Sequence, residues 1–285
     1  MSLALLTFLA SAVATSNLQS AILSRGIQNV DKEVELARSL WCSLTTTSTS
    51  VGPLQTFKRA WDAPMVVRNC QTLVNNAMSD IDKAILLAVK ADYCSEWIFA
   101  LPISACGHRI SNEAVRITSV LRLRLNICEP HSCPCSGVVD AKGIHGLSCK
   151  CSTGRSMHHQ QIIDLVWRAL RSADTLSVKE PSGLLSGEDK RPDGLKLVPW
   201  QCGHCLAWND TVVDTLARIY VVVSAQVTGT AAQAAAERNV SKYAGLPVSH
   251  LFVQIAIETL GPINEAGHSF LSELGRRLST ISDDP

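Results

Sequence analysis

The sequence predicts an α/β protein: an α-helical region over 1–127, a metal-binding knuckle over 128–155, and a small mixed-sheet domain over 156–285. Three observations predict it. Apolar residues recur at helical spacing through the first half of the chain. Cysteines and a histidine then crowd into the stretch from Cys133 to Cys149. Beyond Arg191 the period shortens to two, as in Leu251, Val253, Ile255 and Ile257.

The totals narrow the class. Of 285 residues, 46% are hydrophobic, which suits a globular chain and argues against disorder. A formal net charge of +1 does not advertise a nucleic-acid binder, so local clustering has to carry that argument. No apolar run reaches the roughly 18 residues that suggest a membrane span, and no membrane partner is expected. Met1 to Ala14 is apolar and ends Ala12-Val13-Ala14, like a signal cleavage site, but it lacks the basic residues that precede such a core. An internal helix is the favoured reading. The 11 cysteines cannot all pair within the chain, and their clustering is metal-like rather than a disulfide framework. An intracellular location, nucleus or cytoplasm, is therefore expected over a secreted one.

In chain order, residues 1–30 read as one or two helices, and Asp31 opens another that carries Val34 and Trp41. Thr45 to Pro53 is a Ser/Thr-rich loop. Val66 to Val74 is helical by pattern. Ser79, with Asp82 three residues on, marks a helix start before Ile85, Leu86 and Val89. Leu101-Pro102 breaks the chain, and Asn112 to Leu125 is helical again. Ala141 to Lys150 is a Gly-punctuated loop. His159 to Ala173 is an amphipathic helix with Ile163, Val166, Trp167 and Leu170 as its apolar stripe. Strands follow at Leu195–Val198 and Leu206–Val213, then an Ala-rich helix from Ala231 to Tyr243, then a strand from Leu251 to Glu258.

Cys133, Cys135, His145 and Cys149 offer three thiolates and an imidazole, a set that suits a closed, structural Zn²⁺ site. Cys151 is a rival ligand. Cys202 and Cys205 form a second C-x-x-C pair, but in a hairpin turn with no second pair beside it; free thiols are the expectation there.

Arg191-Pro192-Asp193-Gly194 draws attention for a different reason. Pro192 fixes its own φ and biases Arg191 towards extended backbone, so Asp193 opens a strand. With a further carboxylate in the next strand, this is a layout for a hard cation such as Mg²⁺, although Pro-Asp-Gly is also common turn chemistry.

From Ala100 onwards the chain resembles the C-terminal region of non-LTR retrotransposon polyproteins that carry a restriction-like endonuclease. The resemblance is carried by Leu101-Pro102-Ile103-Ser104, Asn112 to Arg116, the Cys133–Cys149 knuckle, Lys179-Glu180-Pro181, Lys190 to Gly194, Thr211 to Thr215, Lys242-Tyr243 and Glu258 to Asn264. The first hundred residues resemble, more loosely, the segment that joins the polymerase thumb to this region. No Tyr/Phe-x-Asp-Asp polymerase motif occurs, so the chain looks like a C-terminal fragment or a degenerate copy. The resemblance implies a zinc knuckle followed by a restriction-endonuclease-like domain of the PD-(D/E)XK type. It implies a Mg²⁺-dependent cut in target DNA whose 3′ end primes reverse transcription, with DNA, and also the element's RNA, as partners, and with a polymerase domain that this chain does not carry.

Under that resemblance Asp193 is the first carboxylate and Lys242 the basic residue, while the second carboxylate position falls on Asn209. Alternation along a strand puts Asn209 towards Asp193 and Asp210 on the side of Asp214; a one-residue bulge would bring Asp210 to the metal instead. Asp193 and Asp210 are thus the candidate Mg²⁺ ligands and Arg191 a grip on the scissile phosphate; Glu180 either completes the metal shell or, the favoured reading, is a surface residue. His159 matches the resemblance, whereas His158 stands in place of an arginine. Arg116, Arg122, Arg124, Arg155 and Arg168 are the candidate DNA contacts; a solvated helix face is the alternative for the first three. The competing function is a catalytically inactive nucleic-acid-binding zinc module.

Overall fold

The computed structural model describes residues 39, 43, 58–98, 109–149, 151, 154–173, 176–184 and 191–282, without the side chains of 58–64, 154–156 and 282. The elements expected before residue 58, and the break at Leu101-Pro102, lie outside these residues. The chain divides into two compact units, Met1–Asn76 and Ala77–Pro285.

In the first unit the described element is helix α1 (Lys58–Asn75), longer than the 66–74 segment that the pattern predicts.

The second unit opens with α2 (Asp80–Lys90). Ser79 caps it as expected: its side chain accepts from the Asp82 N–H, and Asp80 and Asp82 place negative charge in the first turn. Helix α3 (Asn112–Leu123) is capped by Ser111 and ends at Arg124 in the left-handed conformation. Both helices belong with the sheet for physical reasons. Ile85 and Ala88 pack against Leu260, with Val89, Ile144 and Leu216 around them. Thr228 Oγ1 donates to the Leu87 carbonyl, and Arg122 donates to that of Leu260.

The knuckle follows as β1 (His131–Ser132), β2 (Val138–Val139) and the short helix α4 (His145–Ser148). Then come α5 (Gly154–Ser172), β3 (Ser177–Lys179), β4 (Gly194–Gln201), β5 (His204–Val213), α6 (Val221–Ser224), α7 (Thr230–Lys242), β6 (His250–Glu258) and α8 (Glu265–Ser282). The sheet runs β3-β4-β5-β6. Its first three strands are antiparallel, and β6 lies parallel to β5 because α6 and α7 carry the chain back across. The α/β class with a mixed sheet is therefore as expected. The β4–β5 turn is a two-residue reversal with Cys202 and Gly203 both at positive φ, the conformation such tight hairpins need.

Each face of the sheet is covered. Trp208, Leu206 and Ile255 point to one side, where Val166 and Leu170 of α5 and Phe270 and Leu274 of α8 close over them. On the other side Val213 and Ala256 meet Ala231, Ala232, Ala235 and Ala236. The alanines let α7 approach the sheet closely. Gly194 is required because the Trp208 indole lies across it, and a Cβ there would fall inside the ring. Lys196 is also buried, at 2% exposure, where the β4 ladder becomes irregular before Pro199. Its ammonium fills the break, donating to the carbonyls of Val198 and Pro199 at 2.9 and 2.8 Å.

No described helix is long and apolar enough to cross a membrane.

Candidate functional site

Two sites emerge. The first is the knuckle. Cys133, Cys135, His145 and Cys149 bring one ligand atom each to within 4.8 Å of one another, the one such grouping among the described residues. The hairpin formed by β1 and β2 presents Cys133 and Cys135, and α4 presents His145 at its start and Cys149 just past its end. Cys133 Sγ stands 3.5 Å from Cys149 Sγ, and Cys135 Sγ 3.1 Å from His145 Nε2. Gly137 is the small residue the turn demands, since a Cβ would meet the His145 ring at 2.5 Å. Three thiols and one imidazole gathered this closely could bind a metal such as zinc. Cys151, the rival ligand, is exposed and outside this set.

The second site is built where β5 runs on past the start of β4, still paired with β6. Gly194 pairs with Trp208, so β4 begins one residue after Asp193. Asp193 is therefore free of strand alternation. Its carboxylate turns along the sheet and accepts the Asp210 backbone N–H at 2.5 Å, while its own carbonyl accepts from Glu180 N–H. Imidazole Nε2 of His159, on α5, stands 3.4 Å from Asp193 Oδ2 and 3.1 Å from the Asp210 carbonyl. Asp193 holds the His159 imidazole above its ordinary range, against the opposing effect of burial.

Asp210 is the unusual member. It is 2% exposed, yet neither carboxylate oxygen has a hydrogen-bond partner. Burial, and then the charge of Asp193, push its carboxyl up to about 7. It lines a groove of about 890 Å³ walled by one face of α5 (His158, His159, Ile162, Leu165, Arg168), by the ends of β5 and β6, and by Gly146 and Leu147 of the knuckle helix.

Asn209 is not where the resemblance put it. Its side chain lies on the opposite face, inside a neutral network under α7. Asn209 Oδ1 accepts from Tyr243 Oη at 2.9 Å, and Nδ2 donates to Gln254 Oε1 at 3.1 Å and to the Asp210 carbonyl at 3.2 Å. Gln254 Nε2 in turn donates to Thr211, which also accepts from Asn239. Because Asp193 precedes β4, its carboxylate reaches the Asp210 N–H without the bulge that strand alternation would require.

The remaining expected site residues scatter. Arg191 is exposed, and its carbonyl lies 2.7 Å from Tyr243 Oη, sharing that hydroxyl's one hydrogen with Asn209 Oδ1. Lys242 is exposed at the end of α7, 5.2 Å from the Tyr243 ring, and is not among the groove's lining residues. Arg168 is exposed and does line the groove. Arg116 pairs with Glu113 on the surface of α3. Arg122 and Arg124 differ from expectation. Arg122 is half-buried beside Trp97 and bonds to Leu260, and Arg124 pairs with Asp82 at 2.6 Å, so both hold the protein's own helices together. The side chain of Arg155 lies outside the described residues. Glu180 is exposed, as expected of a surface glutamate.

Lys196 and Glu258, neither of them a site residue expected from sequence, are both buried polar residues. Glu258 Oε1 accepts from the N–H groups of Ala231 and Ala232, capping α7 from the neighbouring strand.

A scan against protein-family models finds no match for this chain, and a search of curated proteins finds none either.

Proposed function

We propose that the chain is the DNA-cleaving module of a retrotransposon, in which a zinc-stabilised knuckle adjoins a metal-dependent phosphodiesterase site of the PD-(D/E)XK type. Asp193 and Asp210 are the metal carboxylates of this reading. The observation that carries it is Asp210: a buried carboxylate with two bare oxygens, beside a second carboxylate, at the wall of a groove. Such an arrangement is costly without a cation, and a divalent ion between the two side chains offsets both the desolvation and the mutual repulsion. The donor set thus fits Mg²⁺ or a similar ion. Bound there, the ion would activate water and stabilise charge on the phosphate oxygens.

The chain's own residues supply the rest. Asp193 is oriented by the Asp210 N–H, and His159 holds the two residues together through the Asp193 carboxylate and the Asp210 carbonyl. Arg168 reaches the groove from α5 and would neutralise a phosphate there. In this reading Lys242 and Arg191 serve the approaching backbone from outside the groove rather than the reacting phosphate. DNA is the substrate, and the nucleus the place of action.

A plasmid-nicking assay with Mg²⁺ or Mn²⁺ tests the reading. Nicking by the parent chain that disappears in Asp193→Ala is the expected result. Salt-sensitive DNA binding with no nicking under either metal would instead favour the inactive binding module.

A further inference from the structure

The His159 imidazole changes what kind of ion the carboxylate site takes. This inference rests on the nuclease reading, since it accepts Asp193 and Asp210 as the carboxylates. We propose that His159 is a nitrogen ligand of that cation, and that the site therefore takes a first-row transition-metal dication in preference to Mg²⁺.

The geometry is specific. Two ligand atoms bound at near right angles to one small dication lie about 3 Å apart. His159 Nε2 and Asp193 Oδ2 stand 3.4 Å apart, with the Asp210 carbonyl 3.1 Å from the same nitrogen. His159 projects from the second turn of α5, and the following turns are anchored in the core by Ile163, Val166 and Leu170. Asp210, 2% exposed, has both oxygens unpartnered and lines the same groove as His159. These three side chains are less tightly gathered than Cys133, Cys135, His145 and Cys149, so a shared ion would require the Asp210 carboxylate to turn towards His159 and Asp193. On binding, the imidazole releases its Nε2 proton to solvent and the nitrogen lone pair takes the ion.

Ligand type then sets the preference. Mg²⁺ demands oxygen ligands and sheds water reluctantly. A mixed imidazole and carboxylate set favours transition-metal ions, with affinity rising along the first row. The thiolate-rich knuckle is already committed to a softer ion and does not compete for the probe.

Mn²⁺ is the probe, added to the zinc-loaded full chain and followed by electron paramagnetic resonance. One Mn²⁺ per chain is expected, with nitrogen coupling from a directly bound imidazole. In His159→Gln that coupling vanishes and Mn²⁺ binding weakens about tenfold or more, while Mg²⁺ affinity, read by competition, changes less than about twofold. His158→Gln, at an exposed neighbour on the groove, keeps the coupling. Persistent nitrogen coupling in His159→Gln, or equal losses of Mn²⁺ and Mg²⁺ affinity, overturns the proposal while leaving the carboxylate site intact. Mn²⁺ binding that survives Asp210→Asn overturns the carboxylate site itself. Unchanged zinc content and circular dichroism establish that each variant is folded.

Discussion

Replacing Asn209 by aspartate puts a carboxylate at the position where the resemblance expects one, and the structure gives a definite reason for it to do harm. Asn209 is 8% exposed and uses both ends of its amide. The substitution keeps the oxygen that accepts from Tyr243 but turns the donor that serves Gln254 Oε1 and the Asp210 carbonyl into a second acceptor. Two acceptors then face an oxygen. Gln254 cannot flip to repair this, because its amide nitrogen already serves Thr211 and the Ile255 carbonyl. Each lost neutral bond is worth about 1 kcal/mol and an unpaired buried group costs about 1–3, so Asn209→Asp should cost roughly 2–4 kcal/mol at pH 7. With a urea slope near 3 kcal/mol/M, the unfolding midpoint falls by about 1 M. At pH 5 part of the loss returns, because burial raises the introduced carboxyl's pKa and its protonated form can donate to Gln254. Urea titrations at the two pH values measure this. An Asn209→Asp chain as stable as its parent at pH 7 would refute the buried network and return Asn209 to the cation's side.

Three further outcomes follow from the same geometry. Metal analysis should find about one zinc per chain, lost in Cys149→Ser, whose thiol is buried in the ligand set, and kept in Cys151→Ser. Leu170→Ala, at 0% exposure between α5 and the sheet, should cost about 2–5 kcal/mol in urea unfolding. Asp210 has a folded pKa of about 7, above its unfolded value, so its contribution to stability is full below about pH 4 and is lost as pH rises through 7. Melting of the zinc-loaded chain without added dication should show that loss between pH 5 and 8, and Asp210→Asn should flatten it.

Much of this fold is legible in the residues, and the failures have physical causes. Ser79 and Asp82 announce the start of α2, and the stripe of Ile163, Val166, Trp167 and Leu170 announces α5, because both signals are local. The Cys133–Cys149 cluster is legible because its four members lie close in sequence. Helix α8 is less legible although Phe270, Leu271, Leu274 and Leu278 carry its apolar face, because Gly267 and Gly275 interrupt the pattern. The three-residue β3 is too short for its period to register. Arg122 and Arg124 look like a basic face until tertiary packing supplies Leu260 and Asp82, which sequence spacing cannot reveal. Asp193 and Asp210 were singled out, but their convergence depends on β4 starting at Gly194, a boundary set by the Trp208 ring.

The central claim is that Asp210, rather than Asn209, completes the metal site. Plasmid nicking by Asp210→Asn, a nearly isosteric change that removes only the charge, tests it most directly. The account predicts loss of nicking with DNA affinity and zinc content unchanged. Nicking at the parent rate by Asp210→Asn would contradict it.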